Sequence, residues 1–421
     1  MKYLLHLIML LFFINSFSQD TIKILQYNLL YYGLNNDYCN SNNNDIVDKT
    51  NYLKQIISYS KPDIFAVNEI NDKENVQDYL LGNVFLLNDF QNYSRAEITH
   101  QYLTDQIYFN NTKLRLKKQF EIINSPRIIS VYKLYYNSPD IQNGDTVFIY
   151  YILAHLKAGN NTTDSTNRVT EVTNIMDFVK TEIPQNSNVI LSGDLNLYTS
   201  NEEAYKILTN NTDSSYNFND PGLEGDWHDN ILYSQFHTQS TRDYDNGCAS
   251  SGGMDDRFDF ILFANSIKSG LDKIYYISNS FQTIGQDGNH FNQSIDFNSN
   301  TSVPSNILSA LTNNSDHLPI SISLFINQNT ATNRKKDILT KNFSVFYKNG
   351  KIVLKINNIA LYGSDYNINI YTTKGICIYK DKINLPNTNI NYYINFQMNP
   401  GIYFIKLKNQ KNIFINKFYE N

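Results

Sequence analysis

Short apolar runs of strand character, each leading directly into a polar, acidic or histidine residue, recur through most of this chain and constrain its fold more than any other feature. Residues 21–30 (TIKILQYNLL) alternate β-branched and aromatic side chains and carry Asn28 near their end. Residues 64–67 (IFAV) lead into Asn68-Glu69, residues 147–153 into Ala154-His155-Leu156-Lys157, and residues 189–192 into Gly193-Asp194-Leu195-Asn196. Asp259 interrupts the run at 258–263, and Ser315-Asp316-His317 precedes residues 318–325. Further strands are expected at 106–109 and 128–136. Such a layout puts chemistry on strand ends and the loops that leave them, supported by a rigid sheet.

Two stretches read as helices. Residues 45–60 place Ile46, Val47, Tyr52, Leu53, Ile56 and Ile57 near helical spacing behind a capping Asp45, and residues 165–181 form the second. Strands mixed with a few helices, without regular βαβ alternation, predict an α+β chain of two mixed sheets packed face to face with helices outside. A hydrophobic content of 41% over 421 residues suffices for a large core, and the length allows two folded units.

Charge separates the two units. From Arg334 onward there are 14 Lys/Arg against 4 Asp/Glu, a balance of +10; the remainder holds 21 basic and 36 acidic residues, a balance of −15. The larger, acidic part cannot hold a polyanion on a broad basic surface, so phosphate chemistry there requires locally bound cations. Residues 328–341 form a polar linker. Residues 342–421 read as a small all-β sandwich, with a hairpin turn at Lys348-Asn349-Gly350-Lys351 and further turns at Thr373-Lys374-Gly375 and Asn399-Pro400-Gly401.

Each polar residue has an ordinary reading beside the chemical one. Asn28 alone is a turn residue. Glu69 after an apolar strand is costly unless paired or metal-bound. Asp194 and Asn196 fit an Asx turn, Asp316-His317 a capped turn, and Asp259 an ion pair with Arg257. Taken in order, N…E…H…GDxN…RxDxI…SDH resembles the endonuclease/exonuclease/phosphatase superfamily over residues 21–327. The resemblance implies a four-layer α/β/β/α sandwich (DNase I-like), spanning residues 20–327, and metal-dependent hydrolysis of a phosphate ester. It also implies that Glu69 and Asp316 bind Mg2+, with Mn2+ or Ca2+ as alternatives, and that Asn28 supports the metal or phosphate. Asp194 and Asn196 would orient or deprotonate the attacking water. His317, backed by Asp259, and His155 would flank the phosphate. Glu97 as a further metal ligand and Arg127 as a substrate contact are carried over from positions between the second strand and the His strand. Lys157, Arg168, Arg242 and Arg257 join Arg127 as a possible local basic track, and His237 is placed at the rim.

The C-terminal residues, with the Asn399-Pro400-Gly401-Ile402-Tyr403-Phe404 stretch and a final basic-aromatic strand carrying Lys417-Phe418, resemble the type IX (Por) secretion sorting domains of Bacteroidetes. A carbohydrate- or nucleic-acid-binding module is the alternative. Residues 1–19 read as a signal peptide, with Lys2, an apolar run and Ser16-Phe17-Ser18. The three cysteines are not a disulfide scaffold, and packed or free thiols are the favoured reading; a single bridge, were one formed, would join Cys39 to Cys248 and leave Cys377 alone. The expectation is an exported, monomeric phosphodiesterase without stable membrane insertion, acting on extracellular nucleic acid. A lipid head group or small phosphate ester is the alternative substrate.

Overall fold

The computed structural model describes residues 20–87, 90, 92–123, 127–138, 141, 146–211, 213–327, 343–348, 350–356, 365–373, 376–384, 391–409 and 413–420. Residues 1–19, expected as a signal peptide, residues 328–341, expected as a linker, and the expected turn residues Lys374 and Gly375 lie outside them.

Two sheets carry the larger unit. The first has the order β11 (Ile274–Tyr276), β13 (Ile320–Ile326), β1 (Asp20–Tyr32), β2 (Ile64–Ile70), β4 (Thr104–Asn110), β3 (Tyr93–Arg95), with β12 (Gln282–Thr283) also on β13. The second runs β5 (Leu114–Ile122), β6 (Ile129–Tyr136), β7 (Phe148–His155), β8 (Asn188–Asp194), β10 (Asp259–Ala264), β9 (Phe218–Asn219). Each sheet has one parallel pair, β1 with β2 and β7 with β8. A parallel pair needs a crossover, supplied by α1 (Ile46–Ser60) and α3 (Thr162–Glu182). Asp45 caps α1 by accepting from the Val47 and Asp48 amides, and Lys61 ends it in the left-handed region before Pro62.

Side-chain alternation sorts the strands into three buried layers. Ile22, Ile24, Ile64, Ala66 and Ile107 meet Ile149, Tyr151, Leu153, Ile190, Ile261 and Phe263 between the sheets. Leu25, Tyr27, Phe65 and Val67 face α1 and α6 (Ser305–Asn314), while Ile152, Leu191, Phe260 and Leu262 face α3 and α4 (Glu203–Thr209). This is the expected α/β/β/α sandwich. Two shorter helices complete this unit: α2 (Glu74–Leu80), continued by a π-helical turn at Leu81–Leu86, and α5 (Asn265–Ser269).

The C-terminal residues form two antiparallel sheets around one small core. One is β14 (Phe343–Lys348), β15 (Lys351–Ile356), β18 (Asn391–Asn395). The other is β17 (Cys377–Asn384), β16 (Asp365–Thr372), β19 (Gly401–Lys408), β20 (Ile413–Glu420). β14 and β15 pair antiparallel, with Lys348 opposite Lys351; Asn349 of the expected turn lies outside the described residues. Tyr371 and Phe404 leave this unit to join the core over α1 and α2, and Phe404 lies against Gly82. Among the described residues no helix is long and apolar enough to cross a membrane.

Candidate active site

The inter-sheet faces are apolar along most of each strand and turn polar at one end. On β1 the series Ile22, Ile24 continues as Gln26 and Asn28; on β2, Ile64 and Ala66 lead to Asn68; on β7, Leu153 leads to His155; on β8, Ile190 leads to Ser192 and Asp194. Register aligns these ends. Asn28 pairs with Asn68, His155 with Asp194, and Asp194 with Asp259. Gly193 permits the close β7–β8 approach: its φ is 139°, and a Cβ there would lie 1.8 Å from the Ala154 carbonyl oxygen.

Asn28 joins the two sheets. Its Nδ2 donates to Glu69 Oε1 at 3.1 Å and to Asp194 Oδ2 at 2.9 Å. His155 Nε2 lies 3.9 Å from Glu69 Oε1 and 3.5 Å from Asp194 Oδ2, and donor atoms of Glu69, His155 and Asp194 all fall within 4.8 Å of one another. Asn196, at φ 50°, donates its amide to Asp194 Oδ1 and its Nδ2 to the Leu156 carbonyl. On the far side His317 Nδ1 bonds Asp259 Oδ2 at 2.7 Å, and its Nε2 is 3.7 Å from Asp194 Oδ2. Asp259 therefore pairs with His317, while Arg257 pairs with Asp220 at 2.6 Å.

Burial sets the protonation of this group. It raises the Asp194 carboxyl to about 7, against the opposing pull of His317, with Asp259 and Glu69 adding to the rise. Glu69 is raised by burial and by Asp316. His155 is held well below the usual imidazole range by burial, Arg127 and His317, so it is neutral. Burial also opposes charge on His317, but Asp259, Asp194 and Asp316 outweigh it and hold His317 well above that range. Gln239 Nε2 stands 2.8 Å from His317 Nε2. As placed, the amide donates to a neutral imidazole; turned by 180° it accepts from an imidazolium, so Gln239 suits both states.

Three buried atoms in and under the cluster lack hydrogen-bond partners: His155 Nδ1, Asp259 Oδ1 and Asp105 Oδ2. Crowded carboxylates with raised pKa values and unmet donor atoms fit a bound divalent cation.

Other expected residues sit elsewhere. Asp316 accepts from the Ser250 amide at 2.9 Å and from Gln239 at 3.3 Å, and is not part of the 4.8 Å group. Arg127 Nη1 donates to the carbonyls of His155 and Leu156, at the end of β7. Glu97 is not brought in: its side chain is exposed and only its carbonyl is engaged, by Gln106 and Gln119. His237 is not at the rim but fully buried, with Nε2 on the Trp227 carbonyl. The basic track is also corrected. Arg168 is buried against Glu202, Arg257 lies over Trp227 and Phe260, and Arg242 is buried. A guanidinium on an apolar strand end is drawn inward by aromatic faces and a buried carboxylate. Lys157, paired with Asp164, and Arg127 stay partly exposed.

Three side chains went unread in the sequence. Asn68 uses all its valences: Oδ1 accepts from Gln26 and the Asp194 amide, and Nδ2 donates to Asp105 and the Ala154 carbonyl. Asp105, raised to about 7 by burial, supports Asn68 from β4. A polar residue at an inward position of an apolar strand is the signal for both. Gln239, in an irregular loop, offers none.

Comparison with known proteins separates the two units. Residues 348–419 match the secretion system C-terminal sorting domain. No curated protein matches the sequence. Among solved structures, humanized D. rerio TDP2 is similar at 17% identity, covering 72% of this chain and 98% of that one with a TM-score of 0.45. An endonuclease/exonuclease/phosphatase from Bacteroides vulgatus is similar at 13% identity, covering 73% and 99% with a TM-score of 0.46. Truncated C. elegans TDP2 stands at 16% identity, 73% and 98%, with a TM-score of 0.45.

Proposed function

We propose that the chain is an exported, divalent-metal-dependent phosphoesterase that hydrolyses extracellular nucleic acid. The observation that carries this reading is the line from Asp259 through its hydrogen bond to His317, across a 3.7 Å ion-pair contact to Asp194, and on through hydrogen bonds to Asn28 and Glu69, drawn from both sheets into one cluster. The sorting-domain match at 348–419 supports export by the type IX route to the cell surface or beyond.

Glu69, with Asp316 across the site, would hold the cation. When bound, it supplies positive charge to phosphoryl oxygens. The remaining work falls to the chain. A carboxyl near 7 makes Asp194 a general base matched to neutral pH, so it takes the proton of a water that attacks phosphorus in line. Asn28 and Asn196 fix the orientation of its two oxygens. His317, kept cationic by Asp259, donates to the phosphoryl oxygen on which charge accumulates as the bond to the leaving oxygen breaks. Arg127, half-buried, braces the carbonyls of His155 and Leu156.

The test is hydrolysis by the purified chain of plasmid DNA, RNA, sphingomyelin and bis(p-nitrophenyl) phosphate, each with Mg2+, Ca2+ or EDTA. Nucleic acid cleaved in Mg2+ and spared in EDTA is expected. Cleavage of sphingomyelin alone reassigns the substrate, and activity undiminished in EDTA removes the metal.

A further inference from the structure

The strand that carries Asn28 ends in a turn that L-residues rarely adopt. Leu30 and Tyr31 are consecutive and both left-handed, with φ 45° and 53°. Such a turn persists only when its surroundings over-determine it. Its amide side faces the site: Leu30 N donates to Asn28 Oδ1 at 2.9 Å, and Tyr31 N donates to Glu69 Oε2 at 3.1 Å. Asn28 in turn holds Glu69 Oε1. Both oxygens of Glu69 are thus fixed by this one segment, and Glu69 itself is left-handed at φ 61°.

The carbonyl side faces α1 and is held there by a lysine. Lys49 Nζ donates to the Leu30 carbonyl at 2.9 Å and to Asn44 Oδ1 at 2.7 Å. Asn44 Nδ2 donates to the carbonyls of Leu30 and Tyr31. Lys49 is 2% exposed, and among the described residues no carboxylate lies within ion-pair distance of it. Burying an ammonium on neutral acceptors is costly, so its place is not explained by charge pairing. An amine retains two N–H donors, so both bonds survive loss of a proton.

We infer that Lys49 is a positioning residue: with Asn44 it locks the Leu30–Tyr31 turn and thereby sets the Glu69 carboxylate for the cation. The inference rests on Glu69 as a cation ligand. The alternative roles predict different signs. Removing a nearby positive charge, by itself, tightens cation binding; a purely structural lysine alters stability and leaves cation affinity alone.

The test is binding of Mn2+ to the full chain, followed by the resonance signal of free Mn2+, for the parent, Glu69→Gln, Lys49→Met, Lys49→Arg and Asn44→Ala. Lys49→Met is expected to weaken Mn2+ binding about tenfold, as for loss of a residue that orients a metal ligand. Asn44→Ala should weaken it less, and Lys49→Arg should recover part of the loss. Mn2+ affinity in Lys49→Met equal to or tighter than the parent overturns the inference; if that variant does not fold, unchanged affinity in Asn44→Ala overturns it. A parent that binds no Mn2+, or binds it as well with Glu69→Gln, overturns the reading of the site itself.

Discussion

Among the described residues, two charge clusters are built to opposite ends. Under the C-terminal sheet, Lys406 Nζ meets Glu74 Oε1 at 2.6 Å and Asp78 Oδ2 at 2.7 Å, and Arg95 Nε meets Asp78 Oδ1 at 2.8 Å. Acids there are matched by bases: burial disfavours the Glu74 carboxylate, but Lys406, Lys408 and Arg95 prevail and draw its pKa down to about 2. At the strand ends the same residue types leave demand unmet. Asp194 is pushed up to about 7, and Asp259 Oδ1 and His155 Nδ1 have no partner. The difference is one of charge balance, since Arg95 Nη2 also lacks a hydrogen bond though it lies 3.6 Å from Glu74 Oε1: paired charges join parts of a fold, whereas carboxylates with raised pKa values mark a candidate site.

Breaking the second cluster should cost chemistry first. His317→Ala is expected to lower hydrolysis about a thousandfold, the range for losing an acid–base or charge-stabilising group, and to lower the melting temperature as well, because Asp259 is left buried without its partner. Hydrolysis at the parental rate would show that His317 takes no part.

The next largest effect belongs to the Cys39–Cys248 disulfide, which spans 209 residues. It ties the β1–α1 loop to the segment whose Ser250 amide holds Asp316. The double substitution Cys39→Ser, Cys248→Ser should cost about 5 kcal/mol for a loop of this size, read by urea unfolding, and should raise the Mg2+ needed for activity. An unchanged Mg2+ requirement would separate the strap from the site.

Lys406→Met strips the first cluster of a buried cation and leaves Asp78 to Arg95 and the half-exposed Glu74 to Arg95 and Lys408. About 3 kcal/mol of stability should be lost, seen in urea unfolding, while the hydrolytic rate stays within twofold of the parent. A large fall in rate would mean that the two clusters are coupled.

Acidity should pull the clusters apart by the smallest amounts. Glu74 has a folded pKa below its unfolded value, so its contribution is complete above about pH 5 and is lost as pH falls toward 2. Asp105 and Asp194 have raised values, so theirs is complete below about pH 4 and is lost as pH rises through 7. Melting temperatures of the chelated protein from pH 4 to 8 should therefore decline, and Asp105→Asn should flatten the decline. An identical slope in that variant would show that Asp105 is not its source.

Much of this was legible in the chain because a buried strand advertises its polar end. Asn28, Glu69, His155, Asp194 and Asp259 each interrupt or close an apolar run, and each lies on the cluster. Glu97, Arg257 and His237 were misread for the converse reason. They sit in segments without clear period, where a charged or imidazole side chain looks the same whether it faces solvent, as Glu97 does, or is drawn onto Trp227, as the other two are. Lys49 was invisible too, since a lysine in the first turns of an amphipathic helix reads as solvated.

The sequence by itself determined the strands, their inward faces and the polar residues that end them, because alternation and the cost of burying unpaired charge act locally. Tertiary structure decided the partners. Asn28 reaches Asp194 across 166 residues, and Ser315 Oγ reaches the Asn28 carbonyl across 287. Those bonds exist only because two sheets pack face to face and bring six strand ends to one edge. Which carboxylate is paired with a lysine and which is left without a basic partner is likewise fixed by that packing, since it depends on neighbours no local stretch of chain contains.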